Sequence, residues 1–232
     1  MIKKILQTYR GALFDLDGTL LDSMPIWDRL CRDYLLQEGK HPEERLEADL
    51  AAMTLSQAAQ YVHRHYGLPH SPEAIIDQWE EMVLEAYKTT LPLKPAIPAL
   101  VRELYDAGLA LGVVTSCFPT ACEGALKRHG LWPLFSTILY TDTVSQDKSL
   151  PNIWKVAANQ LGLAPEDCIV FEDAYHALQG VREAGMSFVA VYDDSCRDWE
   201  SMYAQADFSI RYTGIEKRKI TADPGKNPLT QF

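Results

Sequence analysis

The tightest limit on the fold comes from a set of short apolar runs with no polar alternation inside them. Ala12-Leu13-Phe14, Leu109-Ala110-Leu111-Gly112-Val113-Val114, Thr137-Ile138-Leu139-Tyr140, Cys168-Ile169-Val170-Phe171 and Ser187-Phe188-Val189-Ala190-Val191-Tyr192 are apolar at nearly every position. A strand of that kind must be covered on both faces, which predicts the interior of a parallel sheet. Helical patterns separate the runs: residues 98–107, stopped by Gly108; residues 120–129, closed by Gly130; and a segment carrying Ile153, Trp154, Ala157 and Leu161. Strand and helix in alternation predict an α/β protein with a doubly wound sheet and right-handed crossovers. A last short strand is expected at 207–210. Residues 215–232, with Lys217-Arg218-Lys219, Pro224, Gly225 and Pro228, read as a polar C-terminal tail.

Residues 22–94 break the alternation, because they carry only helical patterns. Thr54 is placed to cap a helix with Leu55, Ala58, Ala59, Val62 and Tyr66, ended by Gly67; Ser71-Pro72 opens another with Ile75, Ile76, Trp79, Val83 and Tyr87. A crossover helix needs far fewer residues, so the stretch is expected to be an inserted all-helical domain, joined near Asp22-Ser23 and Leu93-Lys94-Pro95. The α/β core then spans 1–21 and 95–214. His63 and His65 diverge on their helix and are expected at the surface.

Polar residues collect where the apolar runs stop. Asp15 and Asp17 end the first, Thr115 and Ser116 the second, and Glu172 and Asp173 the fourth; Lys148 lies in the loop after the third. Carboxyl ends of strands are where open α/β sheets bind ligands. Asp15 and Asp17 share a face of the extended chain. Two such charges about 4 Å apart repel by roughly 4 kcal/mol at an effective dielectric near 20, which calls for a cation or a shared proton. Asp17-Gly18 also suits a hairpin turn. A hairpin needs a second strand, however, and the residues after Ser23 carry a helical pattern instead, with Pro25 in its first turn and Ile26, Trp27, Leu30, Cys31, Tyr34 and Leu35 on one stripe.

The residue types indicate a chemistry. Asp15, Asp17, Glu172 and Asp173 supply the hard oxygen ligands that suit Mg²⁺. Thr115, Ser116 and Lys148, with the N–H groups of the turn at 16–18, supply donors and a positive charge for a phosphate. Together they point to phosphoryl transfer, with Asp15 attacking phosphorus to form an aspartyl phosphate and Asp17 moving protons to the leaving oxygen and from water. The chain has no G-x-x-x-x-G-K-[ST] loop, so nucleotide handling of that kind is not indicated.

Composition narrows the partners. At 232 residues and 47% hydrophobic, the chain can bury a sizeable core, and its formal charge of −10 argues against nucleic acid or an anionic membrane as a general partner. A small anionic substrate stays compatible where a cation reverses the local field. No apolar run approaches the roughly 20 residues of a membrane helix, and the first residues lack a signal-peptide core, so a cytoplasmic protein is expected; a monomer is the separate expectation for its oligomeric state. The five cysteines, Cys31, Cys117, Cys122, Cys168 and Cys196, show no C-x-x-C spacing and indicate neither a disulfide framework nor a zinc site.

Four ordered stretches resemble the motifs of the haloacid dehalogenase superfamily: Asp15-Leu16-Asp17-Gly18-Thr19-Leu20-Leu21-Asp22-Ser23, Val113-Val114-Thr115-Ser116, Lys148-Ser149-Leu150-Pro151, and Ile169-Val170-Phe171-Glu172-Asp173 with Ala184-Gly185-Met186. More narrowly, the chain is similar to the β-phosphoglucomutase-like phosphatases, whose helical cap lies between the first two motifs. The resemblance implies a Rossmann-like core, Asp15 as nucleophile and Asp17 as general acid/base. It also implies Mg²⁺ on the Asp15 and Asp173 carboxylates and the Asp17 carbonyl, with Glu172 direct or through water, and a phosphoryl group held by Thr115 and Lys148. Relatives commonly carry proline, serine and glycine where this chain has Ser149, Ala174 and Ala177, which bears on loop geometry. Trp27 stands where sugar-phosphate mutases carry a histidine, which favours a phosphatase acting on a small phosphorylated metabolite. The alternatives are a sugar-phosphate isomerase and a non-catalytic phosphate-binding regulatory domain. Trp27, Arg45 and Lys94 are candidate substrate contacts.

Overall fold

The structure, a computed structural model, describes residues 2–50, 53–95, 97–144, 147–212 and 220–221. In chain order the elements are α1 (Ile2–Thr8), β1 (Gly11–Phe14), α2 (Met24–Gln37), α3 (Leu46–Leu50), α4 (Leu55–Tyr66), α5 (Pro72–Thr89), α6 (Ile97–Asp106), β2 (Ala110–Thr115), α7 (Pro119–Arg128), β3 (Thr137–Tyr140), α8 (Thr141–Val144), α9 (Pro151–Gln160), β4 (Cys168–Glu172), α10 (Ala177–Glu183), β5 (Ser187–Val191), α11 (Trp199–Gln205), β6 (Phe208–Tyr212) and β7 (Ile220–Thr221). The strands form one sheet in the order β3-β2-β1-β4-β5-β6-β7. The first six run parallel, and β7 pairs antiparallel with β6.

The runs in β1, β2, β4 and β5 are buried on both faces, as a central parallel strand requires, whereas the run in β3 forms the edge of the sheet and is only partly buried. Period-two alternation divides them between two cores. Ala12, Phe14, Leu111, Val113, Ile169, Phe171, Val189 and Val191 join one with α6 and α7. Leu13, Val114, Val170, Phe188 and Ala190 join the other with α9, α10 and α11. Phe14 stacks on Phe171 across the β1/β4 pairing, ring centroids 4.5 Å apart. Helices therefore cover both faces, the doubly wound arrangement expected from the sequence.

Among the described residues, 22–94 contain four helices and no strand besides an isolated bridge between Leu21 and Leu93 where the segment leaves and rejoins the core. The expected caps are present. Thr54 and Gln57 satisfy each other's backbone N–H groups at the start of α4, Gly67 ends it at φ 59°, and Ser71 Oγ accepts from the Ala74 N–H at 3.2 Å. Tyr34 and Trp79 meet edge to face at 6.0 Å within this helical core. Its last helix, α5, lies along α7. The Arg128 Nε donates to the Tyr87 carbonyl at 3.2 Å, and Thr120 bonds Glu80.

Two features depart from expectation. Helix α1 was not foreseen, since its anchoring on the buried Ile5 leaves too little periodic pattern to recognise. Within the stretch read as a tail, Ile220 and Thr221 pair with Tyr212 and Arg211; residues 213–219 and 222–232 lie outside the described residues.

Candidate active site

The strand order reverses at β1, which lies between β2 and β4, so the crossovers on either side leave to opposite faces and open a crevice at the carboxyl ends. The site is built there. Asp15 follows β1 and donates its N–H to the Phe171 carbonyl at 2.9 Å, which sets it beside Glu172, the last residue of β4. Asp173 comes next in the chain, and Thr115 ends β2 on the other side. The Asp17-Gly18 step opens a compact turn, not a hairpin between two strands. The Leu20 and Leu21 N–H groups both bond the Leu16 carbonyl, Gly18 N–H bonds the Leu21 carbonyl at 2.9 Å, and α2 comes after it.

Asp15, Glu172 and Asp173 can each present a carboxylate oxygen such that all lie within 4.8 Å of one another, and all three residues are buried. Lys148, also buried, donates to Asp15 and, at 3.0 Å, to Glu172. Three carboxylates thus face one ammonium. Burial, and then the charge of Glu172, push the Asp15 carboxyl up to about 6 although Lys148 opposes the change. Burial, then Glu172 and Asp15, raise Asp173 well above its ordinary value. Burial works against the charge of Lys148, but Asp15 and Glu172 outweigh it and raise the ammonium above its ordinary value. A surplus of buried hard oxygen donors is the donor set of a divalent cation such as Mg²⁺, which removes the conflict.

Close backbone packing holds these groups. Gly18 sits at φ 84°, and a Cβ there would stand 2.6 Å from Asp173 Cγ, so only glycine lets the turn lie against that carboxylate. Thr19 Oγ1 donates to Asp173 Oδ1 at 3.0 Å. The Lys148 carbonyl accepts from Trp154 Nε1 at 2.8 Å, and a Cβ at Gly180 would stand 2.7 Å from the Ser149 carbonyl carbon. Helix α10 therefore approaches the lysine loop through Gly180, while Ala177 is buried at its start. Ala174 N–H donates to Glu172 Oε1 at 3.0 Å.

Asp17 stands apart from the acidic cluster. Its Oδ1 accepts from Ser23 Oγ at 2.6 Å and from the Tyr87 hydroxyl. Burial, then the charge of Asp15, raise its pKa. Tyr87 is the functional candidate that sequence reasoning passed over, since its place on the apolar stripe of α5 reads as core and its partner lies 70 residues away. Thr115 is buried, its hydroxyl accepting from the Cys117 N–H at 3.0 Å, and Ser116 is exposed on the same loop. Of the candidate substrate contacts, Trp27 donates to the Tyr87 oxygen at 2.6 Å beside the site. The other two have partners elsewhere. Arg45 makes a bidentate pair with Asp49 on its own helical turn, and Lys94 is buried against Asp193.

Comparison with known proteins agrees with this geometry. The chain is 32% identical over 184 residues to hexitol phosphatase A of Escherichia coli, covering 78% of this chain and 82% of that protein. It is 26% identical over 185 residues to the fructose-1-phosphate phosphatase YqaB of the same organism, covering 80% and 97%. A mutant of CbbY from Rhodobacter sphaeroides in complex with xylulose-(1,5)bisphosphate superposes with a TM-score of 0.77 at 23% identity, covering 87% of this chain and 93% of that one. A sequence model described as haloacid dehalogenase-like hydrolase matches residues 12–191, from β1 to the end of β5 and across every residue of the cluster. The chain belongs to the haloacid dehalogenase-like hydrolases.

Proposed function

We propose that this enzyme is a Mg²⁺-dependent phosphatase that hydrolyses a small phosphorylated metabolite through an aspartyl phosphate on Asp15, acting as a cytoplasmic monomer with residues 22–94 as its cap. The observation that carries the reading is the buried cluster at the β1/β4 switch point, where Asp15 faces Lys148 amid surplus carboxylates. The Asp15 and Asp173 carboxylates and the Asp17 carbonyl would hold the ion, with Glu172 direct or through water. When bound, it supplies positive charge to the phosphoryl oxygens.

The protein's own groups then have distinct tasks. Lys148 and Thr115 hold the phosphoryl group, with Ser116 at the loop's outer edge. An Asp15 oxygen forms a bond to phosphorus as the ester P–O bond breaks, and Asp17 gives its proton to the departing alkoxide. Water next attacks phosphorus while Asp17 takes its proton, the Asp15–phosphorus bond breaks, and inorganic phosphate leaves. Anion attacking anion would otherwise face a repulsion of roughly 4 kcal/mol, about three orders of magnitude in rate, which is the reason for the surrounding cations. The phosphatase reading is preferred to an isomerase because Trp27, a donor-only indole held on Tyr87, offers no acid–base group of its own.

The test is phosphate release from an aryl phosphate and from a panel of phosphorylated metabolites with Mg²⁺. Wild type is expected to turn over and Asp15→Asn to be inert; equal rates in the two would overturn the reading.

A further inference from the structure

Two side chains, one from a helix of the inserted segment and one from its entry turn, donate to the same carboxylate oxygen, and a third side chain holds one of the two donors. Tyr87 of α5 and Ser23 both donate to Asp17 Oδ1, and Trp27 of α2 donates to Tyr87. The direction of this chain follows from the groups themselves. An indole N–H only donates, so the Tyr87 oxygen must accept from it; a phenol has one hydrogen, so that hydrogen points to Asp17. Trp27 is held in turn by packing, stacked on Phe118 at 6.0 Å and set edge-on to Tyr87 at 6.4 Å. The consequence is an asymmetric carboxyl group: Oδ1 already accepts two hydrogens, so a proton on Asp17 is better carried by Oδ2.

We propose that Tyr87, oriented by Trp27, is a positioning residue that presents Asp17 Oδ2 to the leaving-group oxygen. The proposal rests on the phosphatase reading and deepens it. Without the Tyr87 hydroxyl, Oδ1 loses one of its two donors and the carboxyl can rotate or protonate on either oxygen. The proton is then delivered from a mixed population of geometries. Asp15 is held by Lys148 and not by a hydrogen bond from Tyr87 or Trp27, so the relay does not orient the attacking carboxylate.

The two tasks separate by leaving group. A primary alkoxide needs a proton as it departs, whereas a nitrophenolate leaves without one. The value of kcat/KM covers steps only through leaving-group departure, so it excludes the later hydrolysis in which Asp17 also acts. Tyr87→Phe, which keeps the buried ring, is expected to lower kcat/KM on a hexitol phosphate about 30-fold or more, and on p-nitrophenyl phosphate less than about threefold. Trp27→Phe, which keeps the stack and loses the donor, should show the same selectivity at smaller size. Equal loss on both substrates, or no loss on either, overturns the proposal. Failure of wild type to hydrolyse either ester, or persistence of activity in Asp15→Asn, overturns the phosphatase reading instead. Unchanged thermal unfolding of Tyr87→Phe shows that any selective loss is not one of folding.

Discussion

Two buried lysines of this protein, each 6% exposed, end up on aspartates that follow strands of the same sheet. Lys148 meets Asp15 after β1, and Lys94 meets Asp193 after β5. Around Lys148 the charges do not balance, because Glu172 and Asp173 crowd the same space and the Asp15 carboxyl is raised. Around Lys94 they do. Burial alone would push the Asp193 carboxyl up, but hydrogen bonds from Lys94 and from Ser195 hold it below its ordinary value. A satisfied buried pair is a structural fastening, here joining the return from the helical segment to the sheet. An unsatisfied one is a place prepared for a missing charge.

The largest effect should come from the unbalanced side. Asp15→Asn is expected to reduce phosphate release on the order of 10⁴-fold, measured with Mg²⁺ in excess, since it removes the proposed nucleophile. Lys148→Met should lower kcat/KM by about 10³, the size of losing a preorganised cation on the transferring group. Activity near wild type in that variant would erase the distinction between the two lysines.

On the balanced side the expected loss is one of stability. Lys94→Met leaves Asp193 buried and uncompensated and should cost about 3–5 kcal/mol in urea unfolding, while Lys94→Met with Asp193→Leu should recover most of it. Turnover per folded molecule should stay within about threefold in the double variant. Next in size, Mg²⁺ at about 100 times its Kd should stabilise wild type by about 2.7 kcal/mol, seen as a rise in Tm reversed by chelation. Asp173→Asn should blunt that rise and the double variant at 94 and 193 should keep it; the opposite pattern would place the ion at the wrong lysine.

The smallest effect is in acid. Because the folded state holds Asp193 below its ordinary value of 3.8, its stabilisation is complete above that value and is lost as pH falls through the lower, folded one. Lys94, Ser195 and the nearby Asp28, whose own carboxyl is raised by burial and then by Asp193, are the groups that face it. Asp193→Asn should therefore flatten the acid limb of stability against pH in that window.

Much of this was legible from the chain alone. The buried strands, the helical segment from 22 to 94, the caps at Thr54, Gly67 and Ser71, and the gathering of Asp15, Glu172, Asp173 and Lys148 all follow from local periodicity, turn chemistry and the position of polar residues after apolar runs. Lys94 was not legible in the same way. Its carboxylate partner lies 99 residues on, and nothing near either residue distinguishes a fastening from a substrate contact.

By itself, then, the sequence determined which segments extend, which coil, and which residues stand at strand ends, because those properties depend on neighbours within a few positions. Only the tertiary structure decided that Tyr87 would reach Asp17, that Gly180 would admit the lysine loop, and that one buried lysine would be balanced and the other not. These depend on how distant helices and strands pack together, and the free energy of such contacts belongs to pairs of surfaces that no local stretch of sequence contains.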